Sequence, residues 1–360
     1  MSTSLRRARV EIDLGAVQRN AAAMARRAGV PILPMVKGDA YGLGATEVVS
    51  ALEQLAPWGY GIASVDEGQE LRDAGIVKPI IVFTPLLEAD LKRARAARLT
   101  PTLGYRGEID AWRSGGGGSW HFSIDTGMSR AGIPWREVEQ VRSLLELMPP
   151  EGAFTHFHSA ELDDGSMEAQ EKLFRESIAS LPSRPRLLHT ANSAAIARQG
   201  RSPWDLVRPG IFLYGVGSGR SAAIHPEPVV HLRAPIVEIR ELQAGESVSY
   251  DATFRVDRPA RIATLAVGYA DGYPRALSDV GSVLVGGTLA TVAGRVTMDM
   301  TMIDVTTVKC TVGDTATLIG RAGDTVLTVE RVADDAGISP YELLTGLRSR
   351  VERVYTGQKS

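Results

Sequence analysis

Eight short apolar runs recur within about the first 215 residues: VPILPMV, WGYGIAS, PIIVFTP, LTPTLG, WHFSIDTG, GAFTHFHS, PRLLHTAN and DLVRPGIFLYG. Each suits a short strand buried on both faces, and most are separated by stretches in which apolar positions return with helical spacing. These stretches carry their own punctuation. Ser64 followed three residues later by Glu67 makes a capping box, and Gly75 closes the same segment. Asp13 is placed to cap a first helix with Leu14, Val17, Ala21 and Met24 on one face. Strand and helix in alternation imply parallel strands. Eight such units fit a (β/α)8 barrel better than an open doubly wound sheet, so the expected fold class is α/β, with a TIM-type barrel over residues 9–232.

Near Arg233 the texture changes. The stretches APIVEIRELQAGESVSYDATF, ARIATLAVGYADGY, GSVLVGGTLATVAGRV and DTATLIG are rich in Val, Ile and Thr and broken by glycine turns, which predicts a C-terminal all-β domain over 233–360. The early segment ARVEIDL alternates like a strand, so residues 1–13 are expected to be able to pair with that domain. The run SGGGGS, Ser114 to Ser119, leads into a strand and does not open a helix, so it reads as a flexible connection and not as a phosphate loop.

Length and composition sharpen this picture. A chain of 360 residues is long for a single core, in keeping with a large unit plus a smaller one. The 40 basic and 42 acidic residues leave a net charge of −2 with no long run of one sign, which argues against a nucleic-acid partner and for a small molecule. Cys310 is the single cysteine, so neither an internal disulfide framework nor a cysteine metal cluster is available, and a reducing, cytoplasmic setting is expected. The start, MSTSLRRARV, has no apolar core of a signal peptide, and no stretch approaches the roughly 18 apolar residues that span a bilayer.

Barrel enzymes place their chemistry at the C-terminal ends of the strands. Here those ends carry Lys37, Arg130 in DTGMSR, His156 and His158, the segment HTANSA, and RPGIFLYG. A lysine amine able to form a Schiff base, with a remote cradle of Ser193 and the backbone N–H groups near Gly210 and Ile211, matches what pyridoxal phosphate requires. Arg208 is placed to address the pyridine nitrogen. His156 and His158 stand at i and i+2 on a strand, but no third ligand is identifiable and no metal site is expected. The glycines of GVGSGR have the wrong spacing for a dinucleotide fingerprint.

The segments MVKGDAYGLG, DTGMSRAGI, THFHSAE, HTANSAA, RPGIFLYG, ESVSYDATF, VGYADGYPR, GRVTMDM and SPYELLTGL stand in the order and nearly at the spacing of the alanine racemase family, the fold-type III pyridoxal-phosphate enzymes. The chain resembles that family from Val10 to about Tyr355. The resemblance implies a racemase that interconverts L- and D-alanine, with Lys37 as cofactor lysine and one base, and Tyr250 as the base on the opposite face. Tyr41, Ser193, Gly210, Ile211 and Tyr341 would hold the phosphate, and Arg208, supported by His156, would face the ring nitrogen. It further implies that Arg130 and the N–H of Met298 receive the substrate carboxylate, and that Tyr269 and Asp299 complete the entrance. It also implies a homodimer in which Tyr250, Tyr269 and Met298 come from the second subunit. Two catalytic bases, one on each side of an α-carbon, suit inversion of that carbon.

The chain departs from the family pattern at four places. Ser123 stands where many relatives have a carbamylated lysine that orients the arginine, Asp251 replaces a glycine, Thr297 a common cysteine, and His158 a small residue. The departures leave open a racemase of serine or of broader range. A decarboxylase on the same plan would want an acid where this chain has Arg208, and a pyridoxal-phosphate carrier would have no use for Tyr250.

Overall fold

The computed structural model describes residues 6–219 and 221–357. The first five residues of the arginine-containing start, and Arg220 of GVGSGR, lie outside the described residues. Strands Tyr60–Ile62, Ile80–Val82, Thr100–Leu103, His121–Asp125, Gly152–Phe154 and Leu187–His189 pair in that order, all in parallel. Closure comes from isolated bridges: Met35 joins Gly61, Ile32 joins Val207, and Asn192 joins Arg208, each in parallel. The amide of Leu33 donates to Val207 O at 2.8 Å and that of Met35 to Pro209 O at 2.9 Å. All eight apolar runs therefore become staves of one (β/α)8 barrel. The three-residue strands are buried at every position, because helices cover the outside and side chains fill the inside.

Local signals were accurate where they concerned helix ends. Asp13 accepts from the Ala16 amide at 2.9 Å, and Leu14, Val17, Ala21 and Met24 of helix Leu14–Ala28 are fully buried. Ser64 and Glu67 form both halves of the capping box of helix Val65–Asp73, with Gly75 two residues beyond at φ 88°. The glycine run behaves differently from a free linker. Arg95 donates to Trp112 O at 3.0 Å and to Gly117 O at 3.4 Å, and Trp112 Nε1 donates to Gly118 O at 3.2 Å, so the run is a packed turn.

The second unit is a nine-stranded, mainly antiparallel sheet ordered Thr288–Thr291, Ser282–Val285, Thr315–Ala322, Val230–Leu242, Arg9–Asp13 and Glu352–Thr356, with further strands branching from this path. Strand Arg9–Asp13 runs antiparallel to Val230–Leu242 and parallel to Glu352–Thr356, so the chain passes through this sheet before it enters the barrel. Two short helices, Val329–Ala336 and Pro340–Thr345, accompany the sheet. Among the described residues no helix is long and apolar enough to cross a membrane.

Candidate active site

Lys37 ends the first stave and begins an unusual turn. Gly38, Asp39, Ala40 and Tyr41 all adopt left-handed helical angles, from φ 64°, ψ 40° at Gly38 to φ 58°, ψ 36° at Tyr41, and Gly42 follows at φ 86°. A left-handed helical conformation costs a residue with a Cβ roughly 1–2 kcal/mol, so the three non-glycine residues need support from outside. The support is visible. Glu67 Oε1 accepts from Gly38 N at 2.7 Å, Asp39 Oδ1 accepts from Ala45 N at 2.7 Å, and Arg353 donates to Gly42 O at 3.0 and 2.8 Å. Burial first, then the positive charge of Arg130, lowers the pKa of the Lys37 amine; Glu67 opposes the shift and Arg208 adds to it. A lysine so treated gives up its proton more readily than one in water.

The same turn buries Tyr41 against the rings of Tyr214, at 4.7 Å, and Tyr341, at 5.9 Å. Beside it, Ser193 opens helix Ser193–Gln199, and its Oγ accepts from Gly210 N at 2.8 Å and from Phe212 N at 3.4 Å. A Cβ on Gly210 would lie 2.5 Å from the Tyr41 hydroxyl, so only glycine lets the backbone come this close. Two hydroxyls and successive backbone N–H groups thus meet with no carboxylate among them. That donor set suits a phosphate.

Arg208 is buried beneath this cradle. Its Nη1 donates to His189 Nδ1 and to His189 O, both at 2.7 Å, and its Nη2 to Thr155 O at 2.8 Å, to Thr190 O at 3.0 Å and towards His156 Nδ1 at 3.3 Å. Its guanidinium also lies 5.2 Å from the Phe154 ring centroid and 5.7 Å from that of Phe83. Burial pushes its pKa down to about 9, which leaves it a cation near neutrality, and among the described residues it has no acidic partner. A buried cation held only by neutral acceptors and aromatic faces suits an anionic cofactor whose ring nitrogen accepts a hydrogen bond.

Because an arginine can only donate, His189 Nδ1 must accept, and its proton sits on Nε2. That N–H faces His121 Nδ1 at 2.8 Å, so His121 in turn carries its proton on Nε2, which has no partner among the described residues. Burial, with Arg208 nearby, pushes the pKa of His121 and of His156 down to about 3 and that of His189 well below its ordinary value. These rings are neutral supports. His156 faces this cluster, whereas His158 is exposed and turned to Ser159 Oγ at 2.7 Å, so the two do not converge. His121, His189 and Glu67 received no site role from sequence, although each lies within a quoted apolar run or capping box, with His121 opening its strand.

Arg130 follows a loop wrapped on the Asp125 carboxylate, which accepts from Gly127 N, Met128 N and Ser129 N at 2.8–2.9 Å. Among the described residues Arg130 itself makes no ion pair, and Ser123 is buried nearby with its Oγ against Gly132. Tyr250 is 70% exposed, on a turn in which Ser249, Asp251 and Ala252 all have positive φ. Ser249 Oγ donates to Arg295 O at 2.8 Å, Asp251 pairs with Arg295 at 3.5 Å, and Asp279 accepts from Gly294 N at 2.6 Å and from Thr253 Oγ1 at 2.7 Å. Tyr269 and Met298 are exposed on the same unit, and Asp299 pairs with Arg350 at 2.7 Å. One chain thus collects Lys37, Tyr41, His156, Ser193, Arg208, Gly210, Ile211 and Tyr341, whereas Tyr250, Tyr269 and Met298 are exposed on the second unit.

Comparison with known proteins adds an independent line. Residues 12–218 match the family described as alanine racemase, N-terminal domain, and residues 229–355 match alanine racemase, C-terminal domain. An alanine racemase of Carboxydothermus hydrogenoformans is 35% identical over 361 residues, covering 96% of this chain and 98% of that protein. Among solved structures, an alanine racemase from Bartonella henselae with covalently bound pyridoxal phosphate superposes with a TM-score of 0.91 at 29% identity, covering 97% of this chain and 99% of that one. One from Bacillus anthracis with bound L-Ala-P gives 0.89 at 32% identity, covering 98% and 96%.

Proposed function

The chain belongs to the alanine racemase family, and from that premise we propose that it interconverts L- and D-alanine with pyridoxal phosphate bound through Lys37. In this reading the barrel within residues 9–232 binds the cofactor with Tyr341 of the second unit, Arg9–Asp13 and the strand from Val230 belong to the second sheet, and 233–360 supply the second base. The observation that carries it is the meeting, at one barrel mouth, of Lys37, a cradle of hydroxyls and backbone N–H groups, and a buried Arg208 cation that has no acidic partner among the described residues.

Tyr41, Ser193 and the backbone from Gly210 to Phe212 would grip the phosphate, with Tyr341 closing over Tyr41, and Arg208, supported by His156 and His189, would donate to the ring nitrogen. Once bound, pyridoxal phosphate draws electron density from the substrate α-carbon and makes its proton removable. The chain's own work is then proton movement and orientation. Lys37, with its pKa lowered, exchanges a proton at the α-carbon on one face, and Tyr250 does so on the other. Arg130 and the Met298 N–H hold the carboxylate, with Tyr269 and Asp299 at the entrance.

Tyr250 is exposed on the second unit, and the reading takes a homodimer in which a second copy brings Tyr250, Tyr269 and Met298 to each Lys37. Exposed Tyr250, Tyr269, Met298, Met300 and Tyr341 supply apolar surface for such a contact. A single cysteine favours the cytoplasm as the compartment. The test is incubation with L-alanine, L-serine and larger L-amino acids in deuterated water. Solvent deuterium should appear at the α-carbon of alanine with loss of chirality, and fastest for alanine. Release of carbon dioxide, or retention of both proton and chirality, would overturn the proposal.

A further inference from the structure

Glu67 accepts three backbone N–H groups from two segments, the turn that follows Lys37 and the end of the neighbouring stave Tyr60–Ile62. Its Oε1 takes Gly38 N at 2.7 Å, and its Oε2 takes Ala63 N at 2.7 Å and Ser64 N at 3.2 Å. We propose that Glu67 is a positioning residue for Lys37: its carboxylate ties the left-handed turn to the end of the neighbouring stave and so sets where the Lys37 amine stands. The inference rests on Lys37 as the cofactor lysine and deepens that reading.

The geometry explains why the anchor is there and why it is an acid. Gly38 is the first residue of the left-handed run, so holding its N–H fixes the run at the point where the chain leaves Lys37. Glu67 is also the N3 residue of helix Val65–Asp73, and its own amide donates to Ser64 Oγ at 3.2 Å, a helix-capping bond separate from the three that its carboxylate accepts. All three groups facing the carboxylate are donors. A glutamine would present an NH2 to one of them and leave two donors in opposition. The carboxylate also acts on the amine through space. Arg130 and Arg208 disfavour the charged amine, Glu67 favours it, His156 is neutral beside it, and Asp39 on the turn itself is engaged with Ala45 N.

The experiment compares wild type with Glu67→Gln, Glu67→Ala and Ser64→Ala. Ser64→Ala removes the hydroxyl that caps the helix and leaves the three bonds to the carboxylate in place. Competitive acetylation of the full-length protein stripped of cofactor, read by peptide mass spectrometry across pH with exposed Lys172 as internal reference, reports the titration of Lys37 directly. Glu67→Gln should move that midpoint to lower pH and lower kcat of the loaded enzyme about a hundredfold, with a much smaller change in KM. Ser64→Ala should lose thermal stability and leave both the midpoint and kcat in place. An unmoved midpoint with kcat near that of wild type in Glu67→Gln, or the same kcat loss in Ser64→Ala, would overturn the proposal. Borohydride reduction of the loaded wild-type enzyme separates the two readings, because a reduced cofactor on a lysine other than Lys37 removes the premise whatever the acetylation shows.

Discussion

His121 and His189 are fully buried and, with His156, remain neutral far below the pH at which a histidine in an unfolded chain takes up a proton. Their folded pKa values are depressed, so below about pH 6.5 the unfolded chain binds protons that the folded chain refuses. The stability is fully present above that pH and is lost progressively as pH falls toward 3. Each ring contributes up to about 1.4 kcal/mol per pH unit within that window. Urea midpoints measured from pH 8 down to pH 4 should therefore fall steeply below about 6.5. His121→Asn, which keeps an acceptor for His189 Nε2, should flatten the slope by about one proton. A slope unchanged by that substitution would show that His121 does not titrate between the folded and unfolded states in this way.

The left-handed segment 38–42 is the element on which the cradle and the lysine both depend. Its last residue meets the helix Pro340–Thr345, where a Cβ on Gly42 would stand 2.5 Å from Leu344 O. Gly75 offers a matched comparison, since its φ is +88° against +86° for Gly42 and nothing lies within 4 Å of where its Cβ would be. Gly75→Ala should cost about 1 kcal/mol, the backbone penalty alone. Gly42→Ala adds a collision with a backbone carbonyl and should cost about 3 kcal/mol or more, with loss of racemase activity. Urea denaturation and activity assays of the two variants provide the test. Equal destabilisation, or an active Gly42→Ala, would mean that the turn yields easily and that its shape is not what places Lys37.

At the scale of the whole molecule, the outward-facing Tyr250 and the barrel-mouth Lys37 become one site only through the proposed two-fold dimer. Lys37→Ala and Tyr250→Phe should each be nearly inactive alone. In a mixed dimer one site collects both defects, while the other receives an intact Lys37 from one chain and an intact Tyr250 from the other. Random exchange makes half the dimers mixed, with one of two sites intact in each, so co-refolding equal amounts should restore roughly a quarter of wild-type activity. Recovery is compared with each variant refolded alone. Proven heterodimers without recovered activity would remove Tyr250 from a shared site.

What sequence alone determined is what depends on near neighbours. A strand buried on both faces needs a short apolar run, and a capped helix needs Asp13 or the Ser64–Glu67 pair at the right offset, so eight staves and their intervening helices were legible in order. The motifs likewise marked Lys37, Ser193 and Arg208 because each stands at the end of a stave. Other features depend on groups brought together from far along the chain. The barrel is closed by single bridges from 32–35 to 61 and 207, and Gly42 is held by Arg353, 311 residues away. The left-handed turn runs against the local preference of Asp39, Ala40 and Tyr41, and Glu67 and Arg353, both distant in sequence, hold its two ends. The chain from His121 through His189 to Arg208 joins residues of three staves inside the barrel, where its direction follows from the arginine's inability to accept. Local pattern settles which segments become strands and helices, because that preference is set within a few residues; tertiary packing decides strained turns, tautomers and charge, because these depend on what fills the space around them.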